Sequence, residues 1–469
     1  MAKTDILILG AGPTGLGAAW RLEELGQSDW LLLEARSEPG GLAASFTDEQ
    51  GFTWDIGGHV QFSHYEYFDQ VMDELLGREG WLHHERESWV WIRNRFVPYP
   101  FQNNIHRLPP DDVERCLAGL VDITRNGLAK PANFREWILA TFGPGIADVF
   151  LLPYNYKVWA YPPERLNTVW VGERVAVTDL KRVLHNLVHH KDDVSWGPNN
   201  TFRFPLHGGT GAIWRACAGR LPREKLQFNT TVTAIDPARH CLTTREGKTF
   251  EYGRLISTVP LDDLIQMSGQ SQFKPAAAAG LIYSSSNIFG FGLRGAPPEP
   301  LRTKCWMYFP EDNCPFYRVT VFSNYSPNNV PDIQKYWSLM AEVSESPDKA
   351  VDQPRLLDQV IEGLLTTRLI ERREDIVSTW RHRAHHGYPT PCLERDAALA
   401  EILPHFENTD IYPRGRFGLW KYEVSNQDHS FMQGVEVVEH LLNGRNEVTA
   451  KNPNLANSKK HPWPFETWL

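Results

Sequence analysis

Gly10-Ala11-Gly12-Pro13-Thr14-Gly15 is a glycine-rich turn between two segments of different periodicity. Residues 5–9 before the turn read as a buried parallel strand, and residues 13–25 after it have apolar side chains at helical spacing. Glycines here permit a tight turn, close approach of a pyrophosphate to backbone N–H groups, and close packing of the helix on the strand. The sequence therefore predicts a dinucleotide-binding βαβ unit in which Gly10, Gly12, Pro13, Thr14 and Gly15 hold the cofactor.

The residues after this turn indicate which dinucleotide, FAD or NAD, is bound. Glu34 ends a second predicted strand 24 residues after Gly10, where a carboxylate can accept a hydrogen bond from a ribose hydroxyl. Ala35 and a second glycine turn containing Gly41 and Leu42 come next. Together these residues resemble the FAD-binding superfamily of amine oxidases and glutathione reductases, which favours FAD over NAD.

Composition restricts the class of protein. The 469 residues, 42% hydrophobic and 22% charged, predict a soluble enzyme of two or three domains. A net charge of −9 argues against nucleic-acid binding. The six cysteines are scattered without metal-ligand spacing, so we expect no metal. Without an 18-residue apolar run or a signal-like start, we expect a cytoplasmic location and no membrane partner.

The fold class predicted is mixed α/β, with the domains interleaved along the chain. We expect a discontinuous Rossmann-type FAD domain at residues 1–78, 200–262 and 411–469. Residues 103–199 have helical periodicity and predict an inserted helical domain for the substrate. Residues 79–102 and 263–410 predict an antiparallel sheet domain, since its strand-like runs alternate or pair as hairpins.

Two further segments are expected to reach the flavin. Gly57 and Gly58 allow close approach to a planar ring, and His59 beside them suits proton or hydrogen-bond chemistry near neutral pH. A late helix over residues 427–442 can point its N-terminus at a reduced flavin. The other cofactor contacts predicted are Val232, Arg416, Asn426, Gln427, Asp428 and Ser430.

Several longer blocks resemble one family within that superfamily. They include Gly57-Gly58-His59-Val60-Gln61-Phe62-Ser63-His64-Tyr65, Pro153-Tyr154-Asn155-Tyr156-Lys157-Val158-Trp159 and Tyr308-Phe309-Pro310-Glu311-Asp312-Asn313-Cys314-Pro315-Phe316-Tyr317-Arg318. From residue 5 to about residue 443 the chain resembles eukaryotic-type UDP-galactopyranose mutases.

This resemblance implies a reaction, its cofactors and its partners. The family interconverts UDP-galactopyranose and UDP-galactofuranose through a covalent adduct between the sugar and flavin N5, and is active only with reduced FAD. NADPH or NADH is the implied reductant. The implied partners are a UDP-sugar and further copies of the chain, as a dimer or tetramer.

The resemblance also implies roles for individual residues. Arg174 and Arg318 are matched to the clamps on the diphosphate and, with His59, are the expected catalytic residues. Independently of the resemblance, the planar guanidinium group of an arginine can bind phosphate oxygens through two parallel hydrogen bonds. The other substrate contacts implied are Phe62, Tyr99, Phe101, Gln102, Phe150, Asn155, Trp159, Asn199, Trp306, Tyr308, Tyr325, Tyr388, Tyr422 and Asn426.

Three alternatives stay open at this point. The same mutase chemistry can act on another nucleotide sugar. An amine oxidase or desaturase type of oxidoreductase shares the FAD motifs but does not need two arginines for a diphosphate. A flavoprotein that only binds a nucleotide or a partner has no need of His59 beside the flavin.

Overall fold

The computed structural model describes residues 2–126, 131–177, 179–194, 197 and 200–463. Its strands belong to two large sheets and two short two-stranded ones. In chain order they are β1 (Ala2–Leu9), β2 (Trp30–Leu33), β3 (Ser45–Thr47), β4 (Thr53–Asp55), β5 (Trp81–Glu85), β6 (Ser88–Ile92), β7 (Arg95–Pro98), β8 (Thr201–Pro205), β9 (Leu226–Gln227), β10 (Val232–Asp236), β11 (Cys241–Thr244), β12 (Thr249–Ser257), β13 (Tyr283–Arg294), β14 (Trp306–Tyr308), β15 (Arg318–Val321), β16 (Tyr336–Glu345), β17 (Ile376–Pro389) and β18 (Ile411–Pro413).

The helices lie mostly on the faces of these sheets. In chain order they are α1 (Pro13–Glu24), α2 (Glu66–Leu76), α3 (Pro110–Asn126), α4 (Phe134–Ile146), α5 (Leu152–Trp159), α6 (Leu180–His189), α7 (Gly211–Arg220), α8 (Leu261–Met267), α9 (Lys274–Gly280), α10 (Leu356–Thr366), α11 (Arg395–Glu407), α12 (Gln427–Asn443), α13 (Val448–Lys451) and α14 (Pro453–Ala456). The mixed α/β prediction is confirmed.

The first sheet has the order β10-β11-β12-β1-β2-β9, with β18 also paired to β12. Strand β1 lies parallel to both β12 and β2, as the glycine motif predicts. Ile6, Leu7 and Ile8 are fully buried because helices cover both faces of the sheet.

Helices α1 and α12 pack on one face at very short range. A Cβ added at Gly17 would lie 2.3 Å from the Phe431 carbonyl oxygen, and one added at Gly434 would lie 2.0 Å from that of Thr14. Only glycine permits this contact, and it aligns the two helices. As a result, both N-termini open into the same cleft.

The second sheet has the order β17-β13-β16-β15-β14-β6-β7. The sequence predicts an antiparallel sheet here, and most pairs are antiparallel, but β14 pairs with β6 in parallel. Parallel strands need a long connection, and the chain provides one because β6 and β14 are more than 200 residues apart. The sheet supplies the wall of the cleft opposite the glycine turns.

Within the predicted helical domain, the stretch around residues 143–152 is less regular than a continuous helix. Ala147–Leu151 forms a π-helical turn between α4 and α5, and Gly143 has non-helical backbone angles within α4. The whole stretch Phe134–Trp159 is long and apolar enough to cross a membrane. Half of its apolar 18-residue window is buried in the protein, however, and its buried apolar side chains belong to the core of the helical region. The exact domain boundaries given above stay a prediction.

Candidate active site

A cleft of about 810 Å³ lies where the first sheet, the second sheet and the helical region meet. Its size is in the range of about 300–1,000 Å³ typical of ligand sites. The turns after β1 and β2 lie at its base, next to the start of α12, and β14 to β17 contribute side chains from the opposite wall. Ligands of open α/β sheets bind at this carboxyl edge of the strands.

The two glycine turns form a cradle at the base of the cleft. Gly10 has a φ of 97°, and a Cβ added there would lie 2.2 Å from Thr258 Oγ1. A Cβ added at Gly41 would lie 3.2 Å from Gly12 Cα, so the two turns touch. Helix α1 has no acidic residue in its first turn, which leaves its N–H groups and positive dipole end to an anion. The cradle therefore fits a pyrophosphate.

Glu34 lies beside this cradle and is 7% exposed. Its Oε2 accepts from the Ala11 N–H at 2.6 Å, and its Oε1 accepts from the Arg36 N–H at 2.8 Å. Each oxygen keeps a second lone pair for a ribose hydroxyl. Glu34 can thus still accept a hydrogen bond from a ribose, as predicted. It also fixes the glycine turn, a role that the sequence does not reveal.

Most of the predicted cofactor contacts line the cleft together. Those that do are Gly10, Gly12, Pro13, Thr14, Glu34, Gly41, Leu42, Gly57, Gly58, His59, Arg416, Asn426, Gln427 and Ser430. Gly15 lies beneath the turn, Ala35 is exposed, and Val232 is half-buried in β10; none of these three is in the lining.

Asp428 lies in the first turn of α12 but faces away from the cleft lining. Its Oδ2 accepts from the His64 backbone N–H at 3.0 Å and lies 2.8 Å from His64 Nδ1. Burial disfavours its charge, but His429 and His64 outweigh this and hold the pKa of the carboxyl below its usual range. This contact fixes the loop that carries His64 to α12, and the cofactor contact of Asp428 stays a prediction.

His59 lines the cleft, and Gly58 before it donates its backbone N–H to Glu342 of the second sheet. Its Nδ1 atom is buried and has no hydrogen-bond partner among the described residues. Burial is the main cause that lowers the pKa of His59 to about 4, and Arg416 and Arg318 lower it further, against the effect of Glu342. The imidazole is therefore neutral at physiological pH.

A neutral His59 predicts how stability depends on pH. The pKa of about 4 in the folded state lies below the reference value of 6.5, so the unfolded chain binds the proton more tightly. Stability is thus fully present above pH 6.5 and falls as the pH drops toward 4. Because His59 is partly exposed to the cleft, we expect about 1–2 kcal/mol of loss from this residue between pH 7.5 and 5.

Urea unfolding of the FAD-loaded protein and of His59→Gln at both pH values measures this effect. The variant should lose less stability than the wild type by that amount. Other buried titrating groups, such as Glu436, cancel in the comparison because they occur in both proteins. Equal losses in the two proteins would mean that His59 is hydrated and has an ordinary pKa.

Arginines dominate the charge of the cleft. Among the described residues that line it, six are arginines and only Glu34 and Glu342 are acidic. Arg174 donates through Nη2 to the Glu423 carbonyl at 2.8 Å and lies over the Tyr422 ring, with 5.4 Å from Cζ to the ring centroid. Arg416 lies over Tyr388 at 4.8 Å. A chain of net charge −9 thus presents a positive cleft, which attracts anions.

The predicted substrate contacts divide into two groups. Phe62, Tyr99, Arg174, Trp306, Tyr308, Arg318, Tyr388, Tyr422 and Asn426 line the cleft. Phe101, Phe150 and Trp159 belong instead to the core of the helical region, and Tyr325 is fully buried between Phe202 and Phe204. Asn199 lies outside the described residues. The roles of all these residues in substrate binding stay predictions.

The family resemblance matches Phe101, Gln102, Phe150, Asn155 and Trp159 to the site of the uracil base, and none of these five residues lines the cleft in this structure. The Phe101 and Phe150 rings pack directly on each other with centroids 4.6 Å apart. Gln102 donates from Nε2 to the Ala176 carbonyl, while its Oε1 is buried without a partner among the described residues. Asn155 donates to the Leu151 carbonyl at 2.8 Å.

Glu342 is the main residue of the cleft that sequence reasoning missed. Its carboxylate binds Arg318 through two hydrogen bonds of 2.7 and 2.8 Å. A signal was present, because Glu342 is a single acid inside the apolar run Trp337-Ser338-Leu339-Met340-Ala341-Glu342-Val343. A buried charge of that kind requires a partner.

Comparison with known proteins gives both the broad family and a close relative. The family model described as flavin-containing amine oxidoreductase matches residues 13–418. A solved structure of a reduced UDP-galactopyranose mutase is 51% identical, with 98% of this chain and 99% of that chain covered and a TM-score of 0.95.

More distant matches share the fold. A putrescine oxidase is 15% identical, with a TM-score of 0.62 over 94% of this chain and 99% of its own. A fatty acid isomerase from P. acnes is 14% identical, with a TM-score of 0.63 over the same shares. A 15-cis-phytoene desaturase from Glycine max is 38% identical over 71 residues, which are 15% of this chain and 12% of the desaturase. With an FAD-type cradle, an arginine-rich cleft and a full-length relative at 51% identity, the chain belongs to the UDP-galactopyranose mutases, within the flavin-containing amine oxidoreductase family.

Proposed function

We propose that this protein is an isomerase that interconverts UDP-galactopyranose and UDP-galactofuranose, with FAD in its reduced form. The observation that carries the proposal is the convergence of Arg174 and Arg318 on the same cleft as the two glycine turns. An amine oxidase has no use for two arginines at a diphosphate, whereas a mutase must hold UDP while the sugar rearranges.

The chain's own residues would divide the work as follows. Reduced FAD, when bound, supplies the nucleophile that the family resemblance implies. Arg174 and Arg318 hold the diphosphate by charge-assisted hydrogen bonds. Tyr388 and Tyr422, which lie against arginines, offer hydroxyl groups to the same oxygens. Neutral His59 orients the reacting centre, since it can hydrogen-bond there without repelling the cationic groups nearby.

We also propose a reductant, a cellular location and an assembly for this protein. NADPH or NADH would reduce the flavin from the same cleft, before the sugar nucleotide enters. We further propose a cytoplasmic location and a dimer or tetramer, and we keep the division into FAD, helical and sheet domains given above. Size-exclusion chromatography with light scattering tests the assembly.

Product analysis tests the activity itself. Dithionite-reduced, FAD-loaded protein is incubated anaerobically with each UDP-galactose isomer, and the products are separated by anion-exchange chromatography. Interconversion by the reduced protein and none by the oxidised protein supports the mutase. If neither isomer changes, other nucleotide sugars come next, and turnover that consumes oxygen would indicate an oxidoreductase.

Gln102 provides a test of nucleotide selection. We propose that its buried Oε1 accepts from a uracil N–H, because that oxygen has no partner among the described residues. Gln102→Leu keeps the approximate size but removes the acceptor, and a single hydrogen bond contributes about 1–1.5 kcal/mol. We therefore expect UDP to bind about tenfold more weakly, measured by calorimetry.

The matched control for this substitution is Gln272→Leu, since Gln272 is exposed and bonds only to Gln270 among the described residues. It should leave the affinity for UDP unchanged. Unchanged affinity in Gln102→Leu as well would remove Gln102 from the base site.

A further inference from the structure

One carboxylate connects the phosphate-binding and flavin-facing sides of the cleft. Glu342, 2% exposed in the middle of β16, accepts four hydrogen bonds. The donors are Arg318 Nε at 2.7 Å, Arg318 Nη2 at 2.8 Å, the Tyr317 hydroxyl at 2.7 Å and the Gly58 backbone N–H at 3.1 Å. Four donors fill the lone pairs of a carboxylate.

This arrangement determines how Arg318 can meet a ligand. Its Nε and Nη2 edge is occupied by Glu342, and Nη1 has no hydrogen-bond partner among the residues described. A diphosphate would therefore bind at the Nη1 end, with the guanidinium between two negative groups. Any movement of Arg318 toward the ligand weakens its bonds to Glu342, because both anions compete for one cation.

The loop of Gly57, Gly58 and His59 packs on the ion pair of Arg318 and Glu342. A Cβ added at Gly58 would lie 3.5 Å from Glu342 Oε1 and 3.8 Å from Arg318 Cζ, so the loop packs directly on both groups. Gly57 is equally close, since its added Cβ would lie 3.4 Å from Glu342 Oε2. The next residue is His59, which lines the cleft. A change at Glu342 therefore acts directly on the loop of Gly57, Gly58 and His59, with no side chain in between.

Burial disfavours the charge of Glu342, but Arg318 outweighs this effect and holds the pKa of the carboxyl below its usual range. The carboxylate is thus ionised at neutral pH. If reduced FAD were held beside this loop, its added negative charge would act on Gly58 and His59, and Glu342 would pass this effect to an anion bound at Arg318.

We propose that Glu342 is a positioning residue that couples diphosphate binding at Arg318 to the redox state of the flavin through the Gly58 N–H. This inference rests on the proposed function. Coupling of this kind is reciprocal, so the factor by which reduction changes the affinity for UDP equals the factor by which UDP changes the flavin's tendency to be reduced.

The experiment measures the dissociation constant of UDP, without sugar, for oxidised and for dithionite-reduced holoenzyme by anaerobic calorimetry. We expect the two constants of the wild type to differ by about fivefold or more, the lower end of ordinary coupling. In Glu342→Gln they should agree within about twofold. The matched control is Glu447→Gln, which also breaks a buried pair with an arginine, Arg414, but lies outside the cleft lining. It should keep the wild-type ratio.

The outcomes separate the two ideas. Equal constants in the wild type, or an unchanged ratio in Glu342→Gln, overturn the coupling. Absence of UDP binding in either redox state overturns the proposed function instead. If Glu342→Gln fails to fold, Glu342→Asp takes its place, since its shorter side chain keeps the charge but cannot reach Arg318 and Gly58 together. If the two dissociation constants of that variant differ as much as those of the wild type, the inference is also overturned.

Discussion

Replacement of Arg318 with alanine is expected to lower kcat/KM for UDP-galactofuranose by about 10²–10³-fold, or ~3–4 kcal/mol. Two effects add. The diphosphate loses a charged donor, and the buried carboxylate of Glu342 loses the guanidinium that binds it at 2.7 and 2.8 Å. Arg318→Lys keeps the charge but cannot span both carboxylate oxygens, so an intermediate loss of about tenfold is expected.

Steady-state kinetics with reduced enzyme measures this loss. Arg165→Ala is the control, because Arg165 forms an exposed ion pair with Asp348 and does not line the cleft. Exposed pairs contribute little, and this variant should stay within about twofold of the wild type. An Arg318→Ala enzyme with nearly full activity would show that the diphosphate is held elsewhere.

Gly15→Ala is expected to abolish FAD binding and to destabilise the fold by about 3 kcal/mol or more. A Cβ at this position would lie 1.9 Å from the Gly10 carbonyl oxygen and 3.3 Å from Ile8 Cγ2. Because the first of these atoms is backbone, the clash can be relieved only if α1 moves away from β1. That movement would open the pyrophosphate cradle.

Flavin absorbance per mole of purified protein and the thermal midpoint measure both effects. Gly219→Ala is the matched control, since a Cβ there meets nothing within 4 Å and the residue lies in α7. This substitution should retain FAD and leave the stability unchanged or raised by up to about 1 kcal/mol. A Gly15→Ala protein with full flavin content would mean that the turn tolerates displacement of the helix.

The sequence alone predicted the dinucleotide unit, and most of the residues that it assigned to the cofactor line one cleft. Gly10, Gly12, Gly41 and Glu34 could be assigned because the chemistry of that cradle depends on local backbone geometry, which a short stretch of residues specifies. The family resemblance likewise identified Arg174, Arg318 and His59 as residues of one cleft, and the structure brings them together.

Only the tertiary structure decided how those residues are connected. Arg318 and Glu342 lie on adjacent strands paired in register, while Gly58 comes from a loop 284 residues away from Glu342 in the chain. The parallel pairing of β14 with β6 and the contact of Asp428 with His64 are of the same kind. Sequence periodicity records which face of an element is buried, but the partner of a buried charge depends on the packing of distant segments, and that information is not local.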